Sequence, residues 1–133
     1  MRLLLFDIDG TLVSARGAGR RALKAALERV LGTTGPLEAY DLRGKTDPRI
    51  VFDLMEAAGI GRGAVKARLD DLFEAYAQAL VGEIEGAQGV VTMPGVADLL
   101  RRLTATEGVL LGLLTGNIEE GARIKLEPAG LWP

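Results

Sequence analysis

Two short apolar runs in the chain have the pattern of buried β-strands. The first covers residues 3–6 and ends in the polar sequence at 7–11; the second covers 109–114 and ends in the turn at 115–117. Short apolar runs bounded by turn residues are typical of parallel strands that are covered on both faces. We therefore predict two parallel strands that end in polar, glycine-containing turns, at the sheet edge where open α/β folds bind ligands.

Most of the chain between these runs has the spacing of amphipathic helices. Apolar positions recur from Leu23 to Leu31, and again from Val51 to Ala58. Asp47 before Pro48 predicts an N-cap followed by a proline in the first helical position. The longest stripe runs from 65 to 80, residues 82–92 are predicted to be a return linker, and a last helix is expected after Pro94.

The length of the helical block predicts how the chain is organised. A crossover between neighbouring parallel strands needs about a dozen residues or more, and the block from 14 to 89 is far longer. We interpret it as an inserted helical domain. The fold class is therefore α/β, with a parallel-sheet core formed by 1–13 and 90–133 and a helical insert formed by 14–89.

Composition narrows the chemistry that the chain can carry. Its 133 residues have a net charge of −2 and no cysteine or histidine. Catalytic triads, Cys-His pairs and His-ligated zinc are therefore excluded within the chain. No basic cluster indicates nucleic acid as a partner. No apolar run is long enough to span a membrane, so we expect a cytoplasmic protein with no membrane partner.

The sequence Asp-Ile-Asp-Gly-Thr at 7–11 is the strongest chemical signal. Residues i and i+2 at a strand end point the same way, so Asp7 and Asp9 should converge just beyond the sheet. A hard cation such as Mg²⁺ relieves the repulsion of two close carboxylates. Gly10 permits a sharp turn whose N–H groups can face an anion. A plain surface turn is the alternative, but the pattern arises by chance in about one such chain in a thousand.

These residues resemble the haloacid-dehalogenase-like hydrolase superfamily. The sequence at 7–13 is similar to the first motif of its phosphatases, and Leu-Thr-Gly-Asn at 114–117 is similar to the second. The helical insert resembles the cap of the phosphoglycolate-phosphatase and β-phosphoglucomutase-like groups, and Met93–Val96 resembles the sequence that follows that cap. The resemblance implies a Rossmann-like parallel-sheet core, here incomplete, with an inserted helical cap.

The resemblance also implies roles for individual residues. Asp7 would be the nucleophile that forms an aspartyl-phosphate and a ligand of Mg²⁺. Asp9 would be the general acid and base, with its main-chain carbonyl on the metal. The phosphate would be bound by Gly10, Thr11, Thr115, Gly116 and Asn117. Retention of Asp9 favours phosphoryl transfer over dehalogenation.

The site has three weaker candidate residues, which are Lys45, Arg49 and Lys125. The sequence at 44–47 resembles a cap segment that faces the active site, so Lys45 or Arg49 could contact the substrate; the alternative is a helix cap with solvated basic neighbours. Lys125 is the only lysine after the second motif. A helix from Asn117 would place its backbone about 12 Å along the axis, so we expect a surface lysine.

Two motifs of the family have no counterpart in the chain. The third supplies a lysine, and the fourth supplies the acidic residues that complete the metal shell. We therefore expect a truncated form of a longer protein, since two parallel strands rarely form a stable sheet alone.

Three functions stay open at this point. The first is a magnesium-dependent phosphatase acting on a small phosphorylated metabolite. The second is a phosphomutase, which shares these motifs. The third is a non-catalytic module that forms a homodimer or complements a separate piece, with an exposed apolar sheet edge as its signature. Response-regulator receivers also use an acidic pair, but they are disfavoured because they lack the first motif at the first strand and the helical insert after it.

Overall fold

The computed structural model describes residues 1–132. The strands are β1 (Arg2–Phe6), β2 (Val13–Ser14), β3 (Val91–Thr92) and β4 (Val109–Leu113). The helices are α1 (Ala18–Leu31), α2 (Asp47–Ala57), α3 (Arg62–Ala67), α4 (Leu69–Gly86), α5 (Val96–Thr104) and α6 (Glu119–Leu126), with 3₁₀ turns at Leu37–Ala39 and Glu127–Ala129.

Two strand pairs organise the chain. β1 and β4 are parallel neighbours, with Arg2 opposite Val109 and Phe6 opposite Leu113. β2 and β3 form a short antiparallel pair next to the predicted boundaries of the insert. The prediction of a parallel α/β fold with a long helical insertion between the two main strands is confirmed.

The helices of the insert surround one apolar core. α1 and α4 pack along much of their length, because each has apolar residues at helical spacing on the facing side. A second, smaller cluster joins the loop after β1 to α6. Among residues 1–132, no helix is long and apolar enough to cross a bilayer.

Three local predictions were wrong. The stripe at 65–80 belongs to two helices, α3 and α4, which are separated at Arg68. The expected linker at 82–92 is partly helical, because Ile84 continues the buried stripe of α4 four residues after Leu80. The N-cap of α2 is Thr46, whose hydroxyl accepts a hydrogen bond from the Arg49 N–H at 3.4 Å. Asp47 is therefore the first helical residue.

The two main strands are also less buried than predicted. The exposed fraction is 61% at Leu3 and 52% at Leu110. A parallel strand is buried only when it has neighbours on both sides and helices on both faces. Within residues 1–132, β1 and β4 have only each other as neighbours in their sheet.

Candidate active site

A cavity of about 850 Å³ lies between the carboxyl ends of β1 and β4 and the helical insert. Seven of the predicted site residues line it: Asp7, Asp9, Gly10, Lys45, Thr115, Gly116 and Asn117. Thr11 and Arg49 are not among its lining residues. The structure thus brings together the two polar turns that follow the parallel strands.

Asp7 has a carboxylate that is available for chemistry. It follows β1 directly, and its Oδ1 accepts a hydrogen bond from the Ile8 N–H at 2.8 Å. No basic side chain within residues 1–132 forms an ion pair with it. A carboxylate without a counter-ion, at the rim of a cavity, is free to act as a nucleophile or a metal ligand.

Asp9, in contrast, is held by two side chains. The Lys125 ammonium donates to its two carboxylate oxygens at 2.9 and 3.0 Å. The Asn117 side-chain amide donates to Oδ2 at 2.9 Å. Lys125 also donates to the Asn117 side-chain oxygen at 2.7 Å, so the three side chains form a closed network.

The turn after β4 orients Thr115 through Asn117. The Thr115 hydroxyl oxygen accepts hydrogen bonds from the Asn117 main-chain N–H at 3.1 Å and from its side-chain amide at 2.7 Å. Because the oxygen accepts twice, the hydroxyl hydrogen of Thr115 is left to donate to a ligand. This arrangement can bind a phosphoryl oxygen.

The expectation of a surface lysine at position 125 was wrong. Lys125 is only 4% exposed, and α6 begins at Glu119 rather than at Asn117. Side chains in helices lean toward the N-terminus, so the long lysine side chain reaches back to Asp9. A signal was present in the sequence: 118, 121, 122 and 125 have the i, i+3, i+4, i+7 spacing of one helix face, and the first three carry apolar or small residues.

Several residues of the insert line the cavity and were missed as parts of the site. Tyr76, on α4, lines the cavity and is 4% exposed; burial raises its pKa, and the charges of Asp47 and Asp9 raise it further. Asp47 lines the cavity and accepts a hydrogen bond from the Ile118 N–H at 2.9 Å. Burial raises the pKa of Asp47, whereas that hydrogen bond and the Lys125 charge oppose the rise.

Three cations face the cavity without a carboxylate partner among residues 1–132. Arg16 donates to the Ala87 carbonyl, Arg20 to the carbonyls of Leu37 and Tyr40, and Lys45 to the Asp41 carbonyl. These acceptors are neutral backbone groups, so the cationic charge is not cancelled. Such a cavity favours an anionic ligand.

Arg49 lies elsewhere on the insert. Its guanidinium pairs with the Asp53 carboxylate at 3.6 Å and is well exposed. In this arrangement it does not reach the cavity.

The aspartate pair also offers oxygen donors suited to Mg²⁺. This ion takes few protein carboxylates and keeps several waters, and the free carboxylate of Asp7 and the main-chain carbonyl of Asp9 are donors of this kind. Within residues 1–132, no group of three or more acidic residues could hold a metal ion. The donors present fit part of a magnesium shell.

The fold and the site define an α/β protein with carboxylates and a lysine gathered at the carboxyl edge of a parallel sheet. The family comparison agrees with this class. The chain belongs to the haloacid dehalogenase-like hydrolase family, whose model matches residues 1–131. The resemblance of the sequence motifs to this family is thereby confirmed.

Several solved structures are similar to the chain. A hydrolase from Pseudomonas syringae superimposes with a TM-score of 0.73 at 23% identity, and CbbY from Rhodobacter sphaeroides in complex with phosphate superimposes with a TM-score of 0.56 at 21% identity. Each match covers 96% of this chain and 56% of the other. The chain thus spans little more than half the length of these structures. Comparison with curated proteins gives no match.

Proposed function

We propose that the chain carries the nucleophile and the proton carrier of a magnesium-dependent phosphatase that acts on a small phosphorylated metabolite. The observation that supports this most is the contrast between the two aspartates. Asp7 has a free carboxylate at the cavity, whereas Asp9 is held by Lys125 and Asn117. Two carboxylates in different surroundings suit a nucleophile and a proton carrier.

In the first step, a carboxylate oxygen of Asp7 attacks the phosphorus of the bound monoester. A bond forms between that oxygen and phosphorus, and the bond from phosphorus to the leaving oxygen breaks. Protonated Asp9 gives its proton to the leaving oxygen, so the alcohol departs neutral. The contacts from Lys125 to both Asp9 oxygens are suited to the carboxylate that this transfer leaves.

In the second step, water attacks the phosphorus of the aspartyl-phosphate. Asp9 takes a proton from the water, the bond between phosphorus and the Asp7 oxygen breaks, and inorganic phosphate leaves. Both aspartates then have the protonation states with which they began. The Thr115 hydroxyl and nearby main-chain N–H groups would bind the phosphoryl oxygens throughout.

Bound at Asp7 and the Asp9 carbonyl, Mg²⁺ would neutralise charge that builds up on the phosphoryl oxygens. The unpaired cations of the cavity support a substrate that is anionic beyond its phosphate. Among the residues predicted to contact substrate, Lys45 faces the cavity, whereas Arg49 would first have to leave Asp53. The similar CbbY structure contains phosphate, which is consistent with a phosphate ligand here.

The direct test is release of phosphate from p-nitrophenyl phosphate with and without Mg²⁺. We expect Asp7→Asn to abolish turnover, because the amide cannot attack phosphorus. Asp71→Asn is the matched control, since Asp71 lies on the exposed face of α4. Acid-quenched samples should contain a phosphoryl group on the peptide that includes Asp7. Magnesium-independent turnover, or equal turnover in Asp7→Asn, would contradict the proposal.

Lys125 provides a second prediction. Lys125→Met keeps the approximate length of the buried side chain but removes the charge that faces Asp9. We therefore expect kcat to fall by roughly a hundredfold. The stability cost should be small, since the Asp9 side chain is 52% exposed and water can solvate it. Lys66→Met, at an exposed position of α3, should leave kcat unchanged. An active Lys125→Met would show that this lysine is only a packing residue.

A further inference from the structure

A carboxylate of the insert reaches a helix of the core. Asp47 is the first residue of α2, and its Oδ2 accepts a hydrogen bond from the N–H of Ile118 at 2.9 Å. Ile118 is the residue that precedes α6, and its apolar side chain cannot cap that helix. The acceptor at the start of α6 therefore comes from a residue 71 positions away in the chain.

The main chains of the two segments also touch. The Asp47 N–H donates to the Gly116 carbonyl at 2.8 Å. A Cβ atom at position 116 would lie 2.2 Å from the Lys45 carbonyl oxygen, which is far inside contact distance. Glycine is thus required at 116 by this close approach. Side-chain and main-chain contacts together join the insert to the turn after β4.

The helix that Asp47 caps is the one that carries Lys125. α6 has only eight residues, and a short helix depends strongly on partners for its free N–H groups. A carboxylate at a helix N-terminus satisfies a free donor and interacts favourably with the helix dipole. The charges of Lys125 and Asp9 both act on the pKa of Asp47, and these two groups are in direct contact with each other.

We propose that Asp47 is a positioning residue, which caps α6 across the boundary between insert and core and so holds Lys125 on Asp9 and Asn117. Movement of the insert away from the core would remove the cap from α6. The position of the insert and the geometry of the aspartate-lysine network are therefore coupled. The proposal that Asp47 caps α6 and positions Lys125 rests on the contacts alone. Only the expected effect of Asp47 on turnover rests on the proposed phosphatase function.

NMR of the ¹⁵N-labelled full chain tests the coupling without turnover. Two signals are followed: hydrogen exchange of the Ile118 amide and the ammonium signal of buried Lys125. In Asp47→Ala, exchange at Ile118 should accelerate about tenfold, as expected for a lost helix cap, and the Lys125 signal should shift or broaden. Asp47→Asn keeps an acceptor oxygen and should restore most of the protection. Asp53→Asn, on the same helix, is the control and should change neither signal.

Two results of the NMR experiment would overturn the proposal. A folded Asp47→Ala variant in which Ile118 and Lys125 are both unchanged overturns the proposal, and so does a change at Ile118 alone. If Asp47→Ala does not fold, Asp47→Ser replaces it, because serine suits the first turn of α2 but is too short to reach Ile118. Where turnover is measurable, Asp47→Ala should lower kcat by more than it raises KM. A wild-type chain without phosphatase activity would contradict the proposed function, whereas the NMR result would still decide the coupling.

Discussion

The helical insert and the parallel sheet both contain leucines, but they bury them to very different extents. Leu27, Leu54 and Leu80 in the insert have no exposed surface. Leu3 and Leu110, on the two strands of the sheet, each keep more than half of their surface exposed. Apolar content alone therefore does not predict burial in this molecule.

The difference follows from what each element needs in order to be covered. A helix hides a single stripe, and one partner helix can cover it, as α1 and α4 do for each other. A strand of a parallel sheet presents side chains on two faces, and both need cover. α5 lies beside β4, but none of its residues is buried. The insert is thus well packed, with Ile124 of α6 adding to its core, and the sheet is not.

The largest predicted effect is on the free energy of unfolding, and it should come from removing a leucine side chain from the core of the insert. Leu54→Ala should lower the free energy of unfolding by about 2–5 kcal/mol, because the deletion leaves a cavity in a closed core. Leu110→Ala, at a half-exposed position, should lower it by less than about 0.5 kcal/mol. Urea unfolding followed by far-UV circular dichroism measures both. Similar losses in the two variants would show that the sheet is as well covered as the insert.

The sequence could predict those parts of the fold whose burial follows a local pattern. The stripes of α1 and α4 were recognisable because burial in a helix follows a local spacing. The burial of Leu3 was mispredicted because it depends on how many strands flank β1, which no local pattern records. The break at Arg68 was missed for a related reason, since the apolar stripe continues across it.

In the site, the placement of residues could be predicted where several of them are adjacent in sequence. The aspartate pair at 7 and 9 and the turn at 115–117 lie next to strands that were recognised, so their meeting at one sheet edge followed from topology. Lys125 and Asp47 each contribute through a side chain that reaches a distant segment. Their roles depend on the orientation of α6 and on the insert folding back over the core, which spacing along the chain does not encode.

The second predicted effect is on self-association, through the exposed leucines of the sheet. Contiguous exposed apolar surface at a sheet edge promotes association, so the wild-type chain should self-associate as its concentration rises. The double variant Leu3→Ser, Leu110→Ser should weaken this association by at least about tenfold, given the free energy of burying a leucine. Sedimentation velocity over a concentration series provides the measurement.

A matched control separates the sheet from exposed apolar residues in general. Val81, on α4, is 43% exposed, and Val81→Ser should leave association unchanged. Equal weakening by the control would place the association surface on the insert. A wild-type chain that is monomeric at every concentration would contradict the predicted homodimer.

The smallest predicted effect is on the ionisation of the two tyrosines, both of which lie in the insert. The pKa of Tyr40 is raised from 10.0 to about 12, mainly by burial and then by its hydrogen bond to Asp53 and the charge of that carboxylate. The Tyr40 hydroxyl donates to Asp53 Oδ2 at 2.5 Å. Because the folded pKa exceeds the unfolded one, this stabilisation is complete below about pH 10 and is lost between pH 10 and about 12.

Absorbance titration of the folded chain should therefore show no tyrosine ionising near pH 10. Asp53→Asn removes the acceptor carboxylate, so the pKa of Tyr40 should fall, yet remain above 10 because burial persists. Tyr40→Phe leaves only Tyr76, whose pKa is also raised by burial, and should remove the step near pH 12. Ionisation near pH 10 in the wild-type chain would mean that this part of the insert is open to water, which would weaken the contrast between a closed insert and an open sheet.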